Sequence, residues 1–500
     1  MNKTKSHKIN ELTVGPIIKG RSNNSIGLWG RGNPFLKRKV FLVARIKNEN
    51  YSSFSEPIVQ EVDPDDDYTG IIEFSNLNFD VKYSYQIGYI TTPEFNSTDS
   101  LKFTDHLSGS FIIPKDVTSF IFGSCRRYLP VGNLTLFKSG KDADKIYQAI
   151  VSRNPDFFLT IGDQFYYDYI PIESLRIKDL SKMRKFNQEC FNFPHVKKLT
   201  SEVPTYSMCD DHDLHRDNTN PDIRKDDQQS FNNGLKTFKE YQGYTRNSDH
   251  LWYTFERDDA SFFVLDTRSE RTHYKIISDQ QMDAFCEWID SSTHRVRFVV
   301  SPVVVASTKV EDSWYGFPEQ QEILILNILK KSNTFILSGD VHCCRVAEYA
   351  VEKDGYHLGN ITEIISSGLS AITNTYGKQF IPNVTDPYEY DYNNHFPYSV
   401  NTNLTMTTVY SSPSFPVKNE NIIEKLYHLV KYSKPTKFKL FKFVLSNGFQ
   451  LFRQLFRRCN DGVFTQIKLD DIQFVITIIN HKNEELYSRY TNLDGLAANQ

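Results

Sequence analysis

Two stretches end an apolar run in Gly-Asp: Leu159-Thr-Ile-Gly-Asp-Gln-Phe-Tyr166 and Thr334-Phe-Ile-Leu-Ser-Gly-Asp-Val-His342. Each reads as a buried strand whose Gly permits a tight turn and whose Asp is aimed out of the sheet. Asp163 and Asp340 are therefore candidate ligands, with Tyr166 and His342 beside them. Other apolar runs end in the same manner: 119–125 at Cys125, 204–209 at Asp210-Asp211-His212-Asp213, and 261–265 at Asp266, with Arg268 and Arg271 just beyond. Hard cations take carboxylate oxygens, while Fe3+ or Zn2+ also accept Tyr, His and Cys. A carboxylate shared by two metals holds them about 3.5–4 Å apart, a separation suited to displacement at phosphorus. Arg268 and Arg271 are of the type that grips a phosphate bidentately. Singly, each residue has a plainer reading: a turn, a solvated loop, a small buried thiol, a core ring or a structural ion pair. Their recurrence at successive strand ends favours the chemical one.

The elements that would position these residues change character along the chain. Over 10–115, short β-type runs at 39–45, 71–74, 81–90 and 110–113 are separated by turn-rich clusters such as 61–68. Strands without intervening helices predict a small β-sandwich domain over 1–115. From 116 onward strands alternate with helical spacing at 142–153, at 279–289 with Ser278 as N-cap, and at 318–331. That alternation predicts βαβ units and a largely parallel core, with ligands outside the carboxyl ends of the strands. A loop-rich and basic-aromatic insertion is expected at about 373–460, including a helix over 421–431. C-terminal strands are expected at about 471–490, where 471–480 pairs with 486–490.

The chain as a whole is compatible with an enzyme. Its 500 residues can bury a sizeable core, and a net charge of −3 signals no preference for nucleic acid. The 37 Phe and 28 Tyr argue for globular packing. Seven Cys without CxxC spacing point to reduced thiols. No run approaches the 18 or so consecutive apolar residues of a membrane span, and the N-terminus carries no apolar signal core. A cytoplasmic location is the expectation.

The motif order resembles the PhoD-like alkaline phosphatases and phosphodiesterases, within the calcineurin-like metallophosphoesterases. It is carried by Phe122-Gly-Ser-Cys125, Gly162-Asp-Gln-Phe-Tyr166, Asp210-Asp-His-Asp213, Val264-Leu-Asp-Thr-Arg268, Ser313-Trp-Tyr-Gly-Phe-Pro318 and Gly339-Asp-Val-His342. The opening Val14-Gly-Pro-Ile resembles the family's N-terminal domain. The pattern departs at Cys209, where the family usually has Trp. The resemblance implies an α/β (α+β) chain: an N-terminal β-sandwich, then a metallophosphoesterase β-sandwich core flanked by helices. It implies a site holding Fe3+ with Ca2+, in which Cys125, Asp163 and Tyr166 surround the iron. Asp163, Asp210, Asp211 and Asp340 complete the metal set, with His212 and His342 as ligands or proton donors and Arg268 facing the phosphate. The expected reaction is hydrolysis of a phosphate mono- or diester by a metal-activated water.

Two further readings stand beside it. One is a catalytically weak phosphate- or phospholipid-binding protein on the same scaffold. The other concerns 437–458, KFKLFKFVLSNGFQLFRQLFRR, whose basic and apolar mix without an acid suits peripheral contact with an anionic membrane. Its plainer reading is an insertion packed on the catalytic domain.

Overall fold

A computed structural model describes residues 7–33, 38–92, 94–95, 97–98, 101–104, 108–126, 145–168, 176–244, 248–257, 259–306, 312–369, 389–391, 404–412, 415–416, 462–470 and 473–493. The strands that carry the candidate residues are apolar on both faces, and the period of two divides those faces between two cores. In Phe157–Ile161, Phe157, Leu159 and Ile161 face inward and Phe158 faces out. Ser119–Gly123 repeats this with Phe120 and Phe122 inward and Ile121 outward. In Val296–Ser301 and Thr334–Ser338, Val296, Phe298, Val300, Phe335 and Leu337 face inward, while Val299 and Ile336 face out.

These strands lie in two stacked sheets. The first runs, in spatial order, Glu485–Asn492, Gln473–Asn480, Val463–Leu469, Ser119–Gly123, Phe157–Ile161, Thr205–Met208, Val14–Gly20, Ile26–Arg31, Thr69–Phe74. The second runs Tyr253–Glu256, Ala260–Val264, Val296–Ser301, Thr334–Ser338, Tyr356–Ser366, Cys343–Lys353, Leu404–Ser411, Glu389–Asp391. The central strands of each are parallel and the outer ones mostly antiparallel. Phenylalanines lock the layers together: Phe120 meets Phe298 at 5.2 Å and Phe262 at 5.5 Å, both edge-on. Pairs of this kind contribute about 0.5–1.5 kcal/mol each beyond their buried area. They fix the relative position of the sheets, on which the site depends.

Helices cover the outer faces. Lys145–Ser152 and Pro194–Glu202 bury Ile146, Ile150, Val196 and Leu199 against the first sheet. Asp279–Ser291 and Pro318–Leu329 bury Phe285, Leu324, Ile325 and Ile328 against the second. Ser278 caps its helix as its position suggests, its Oγ accepting the Gln281 N–H at 3.2 Å. The parallel core anticipated from the alternation is thus present but divided in two. Helices shield one face of each sheet and the opposite sheet shields the other.

The N-terminal segment forms a four-stranded sheet, Ile58–Val62, Lys39–Asn48, Lys82–Thr92, Ser108–Ile112. Val40, Leu42, Ala44, Tyr85 and Ile87 pack on Ile18, Ile26, Leu28 and Ile72, making a sandwich. Its opposing layer is the end of the first large sheet, joined where Lys19 pairs with Thr205. Among the described residues no helix is long and apolar enough to cross a membrane. The expected helix over 421–431 and the run 437–458 lie outside the described residues.

Candidate metal centre

The two sheets touch at the ends of their strands. Ser124 bridges to Ser367, and its N–H donates to the Ser366 carbonyl at 3.1 Å. A Cβ at Gly339 would stand 2.6 Å from Ser124 Oγ and 2.9 Å from the Ile161 carbonyl, so only glycine lets the second sheet approach this closely. Gly162 has a left-handed φ of +72°, and a Cβ there would lie 2.5 Å from Asp210 Cβ. Around this seam Cys125, Asp163, Asp340 and His342 all have φ between +53° and +64°. L residues in that region cost free energy and gather at functional sites.

The turns bring the chemistry-bearing side chains together. Asp163 Oδ2 accepts from the Tyr166 hydroxyl at 2.9 Å and from the Cys125 thiol at 3.4 Å. Tyr166 Oη also lies 3.3 Å from His342 Nε2. Ser367 Oγ donates to Cys125 Sγ at 3.1 Å and accepts the His342 N–H at 2.8 Å. Among the described residues, three groupings of donor atoms, each within 4.8 Å, can hold an ion: Cys125, Asp163 and His342; Asp163, Asp211 and His212; Asp163, Asp210 and Asp340. Asp163 belongs to all three. His212 Nδ1 is 2.6 Å from Asp168 Oδ1, and its ring stacks on Tyr166 with centroids 4.1 Å apart.

Arg268 is fully buried. Its Nε donates to Asp210 Oδ1 and its Nη2 to Asp312 Oδ1 at 2.7 Å, with Asp211 Oδ2 at 3.8 Å. Its Nη1 has no hydrogen-bond partner among the described residues. Arg271 is buried too, its guanidinium 4.9 Å above the Phe317 ring. Asp266 takes another part from the one its strand-end position suggests. It accepts the N–H groups of Arg268 and Ser269 at 3.0 and 2.8 Å and so shapes the turn that delivers Arg268.

The electrostatics of the cluster favour a cation among its acids. Burial, then Cys125, Asp211, Asp210 and Asp213, drive Asp163 well above the usual carboxylate range. Burial likewise raises Asp210, against the opposing pull of Arg268. Burial and then Asp340 push the Cys125 thiol up to about 12. Burial opposes charge on His212, yet Asp168 and Asp211 outweigh it and hold the imidazole up to about 10. Asp163 Oδ1 and Asp210 Oδ2 are buried without a hydrogen-bond partner among the described residues. Orphaned carboxylate oxygens of this kind are costly unless an ion takes them, and a bound ion reverses the protonation preference. The residues present therefore fit metal ions.

Some participants carried no signal in the sequence. Ser124, Ser367 and Asp312 are ordinary residue types, and only the fold brings them to the site. Asp168 had a clue, five positions after Asp163 in the same loop as Tyr166.

A carboxylate shared between donor groups, at the strand ends of a double-sheet core, is an arrangement that can hold metal ions for phosphoester hydrolysis. The profile of the PhoD-like phosphatases matches residues 120–412, more than half of the chain, and the protein belongs to that family. Its fold is that of the solved structure of PhoD: TM-score 0.63 at 14% identity, over 98% of this chain and 90% of that one. It is also similar to a purple acid phosphatase from yellow lupin (Lupinus luteus) seeds, with TM-score 0.57 at 10% identity, over 95% of this chain and 74% of that one. No curated protein sequence matches the chain.

Proposed function

We propose that hydrolysis occurs at a two-metal centre built around Asp163, with Fe3+ held by Cys125, Asp163, Tyr166 and His342, and Ca2+ by Asp163, Asp210, Asp211 and Asp340. The observation that carries this reading is that Asp163 is common to every donor grouping while its Oδ1 is buried and unpartnered. A thiol and a phenol beside one carboxylate oxygen suit a harder trivalent ion that tolerates sulfur, and the all-carboxylate side suits a hard divalent ion. Bound there, the metals supply Lewis acidity toward phosphoryl oxygens and make a water nucleophilic at neutral pH.

The chain's own residues do the remaining work. Arg268 holds Asp210 by one edge, orienting the carboxylate, and offers Nη1 to a phosphoryl oxygen. His212, kept protonated by Asp168, gives a proton to the leaving oxygen. His342, where it does not ligate the iron, is the second candidate for that donation. We assign the substrate to phosphate mono- or diesters, the working organisation to units 1–115 and 116–500, and the location to the cytoplasm. Peripheral membrane contact through 437–458 is proposed on the composition of that run alone.

The test is hydrolysis of paired chromogenic mono- and diesters by purified protein. It is run as isolated, after chelation and after return of Fe3+ with Ca2+, beside Asp163→Asn and with elemental analysis. Activity lost on chelation, restored by metal and absent from the variant is the expected result, and the better ester fixes the substrate class. Metal without turnover would move the reading to a phosphate-binding role, and absence of both would end it.

A further inference from the structure

The acid run that follows Thr205–Met208 divides into two kinds of carboxylate. Asp210 and Asp211 present oxygens to the donor groupings, but Asp213, buried completely, belongs to none of them. Its Oδ2 accepts the main-chain N–H of Asp163 at 2.6 Å and of Asp210 at 3.0 Å. Its Oδ1 accepts those of Gln164 at 2.9 Å and Phe165 at 3.0 Å, with Gln242 Nε2 at 3.4 Å.

The plain explanation for such an acid is a capping box. Asp213 occupies N3 of the short helix Asp211–Leu214 and receives the N–H of the N-cap Asp210. That accounts for one of the contacts. Three others come from a different strand end, 48 to 50 residues earlier in the chain. There Gly162 and Asp163 are left-handed, so the N–H groups of three consecutive residues converge into a nest of the kind that binds anions. The anion in this nest is a side chain of the neighbouring turn.

We propose that Asp213 is a positioning residue that locks the Asp163 turn to the Asp210 turn and so sets the spacing of the metal-binding carboxylates. This rests on the two-metal reading above. Metal centres need ligand placement within about half an ångström, and a left-handed Asp relaxes unless its surroundings over-determine it. Four N–H donors on one acceptor-only group provide that constraint. An amide cannot replace it: Asn has a single acceptor oxygen, so its NH2 would face two of the four donors.

The experiment compares native protein with Asp213→Asn for metal ions per chain after gel filtration, and for kcat and KM on the better chromogenic ester. The variant should lose at least half of its bound metal and about a hundredfold in kcat, with KM within threefold. Excess of the metals found in the native protein should restore part of kcat. A native metal complement together with native kcat would overturn the proposal. Should Asp213→Asn fail to fold, hydrogen–deuterium exchange on the native protein decides: peptides spanning 162–166 should stay protected for hours, and exchange within a minute would overturn the lock. Neither metal content nor exchange requires turnover. Failure of ester hydrolysis in native protein would strike the proposed function and leave this test readable.

Discussion

His212 Nδ1 lies 2.6 Å from Asp168 Oδ1 while the imidazole stacks on Tyr166, so the ring is fixed in direction and the carboxylate favours its charged form. An imidazolium so held is suited to protonating a departing oxygen. Aryl esters with a nitrophenolate leaving group need no proton, whereas alkyl esters do. Asp168→Asn should therefore slow alkyl ester hydrolysis about a hundredfold, the lower range for general acid catalysis, and nitrophenyl ester hydrolysis less than fivefold. The check is kcat for the two esters side by side. Equal losses on both would make the pair structural.

Gly339 marks the place where the second sheet meets the first. A methyl group there would fall 2.6 Å from Ser124 Oγ and 2.8 Å from Ser124 Cβ, closer than real carbons approach. Gly339→Ala should cost about 1–3 kcal/mol, the range for overpacking a close-fitted interior, and should reduce bound metal by shifting Asp340. Adding Ser124→Gly removes both of those side-chain contacts and leaves the Ile161 carbonyl at 2.9 Å. The double variant should recover part of the stability in thermal unfolding and part of the metal in elemental analysis.

What the sequence makes legible follows from this geometry. Gly162-Asp163 and Gly339-Asp340 can be read because an apolar run broken by glycine is a local pattern. The stacking of two sheets comes with the family resemblance and not with the apolar pattern, since Phe157 and Phe158 are both apolar although they face opposite layers. Strand Val14–Gly20 is equally opaque as a partner of the catalytic core, because Lys19 pairs with Thr205 from the far side of the expected domain boundary. Within Asp210 to Asp213 the residue types are alike, and only the fold separates the two that face the donor groupings from the one that gathers main-chain N–H groups. Cys125 and Tyr166 were identifiable by type, but their convergence on one oxygen of Asp163 is a property of left-handed turns.

Asp67 ties the N-terminal segment to the helices Leu180–Phe191 and Gln228–Tyr241. Arg31 donates to it at 2.9 and 3.0 Å, Gln188 at 2.8 Å, and the Tyr241 hydroxyl also donates to it. Burial opposes its ionisation, yet Arg31, Tyr241 and Gln188 outweigh burial and hold its carboxyl below the usual range. A depressed folded-state pKa contributes stability that is complete above the unfolded value of about 3.9 and is lost as pH falls through the folded one. Asp67→Asn should therefore lower stability by about 1–3 kcal/mol at pH 7, the cost of weakening a charged hydrogen-bond centre. The gap in Tm between native and variant should narrow as pH drops below about 4. Thermal unfolding from pH 7 to pH 3 checks it, and a gap independent of pH would assign the loss to packing.

Arg268 is the residue on which charge balance and substrate recognition are hardest to separate. Its Nε and Nη2 are committed to Asp210 and Asp312, and Nη1 alone has no partner. Arg268→Lys keeps the charge but not the planar fork, so an ammonium cannot serve both carboxylates and still face a phosphoryl oxygen. If Nη1 meets substrate, inorganic phosphate should inhibit the variant about tenfold more weakly, equivalent to ~1.4 kcal/mol, and KM should rise with it. If the guanidinium only offsets the buried acids, the phosphate inhibition constant should stay within threefold. Tm should then fall by several degrees, since an imperfectly compensated buried carboxylate costs up to about 3–5 kcal/mol. We expect both effects, with the tenfold change in phosphate inhibition as the deciding one. A fall in Tm with unchanged inhibition would remove Arg268 from the substrate site and leave it as the cation that orients Asp210.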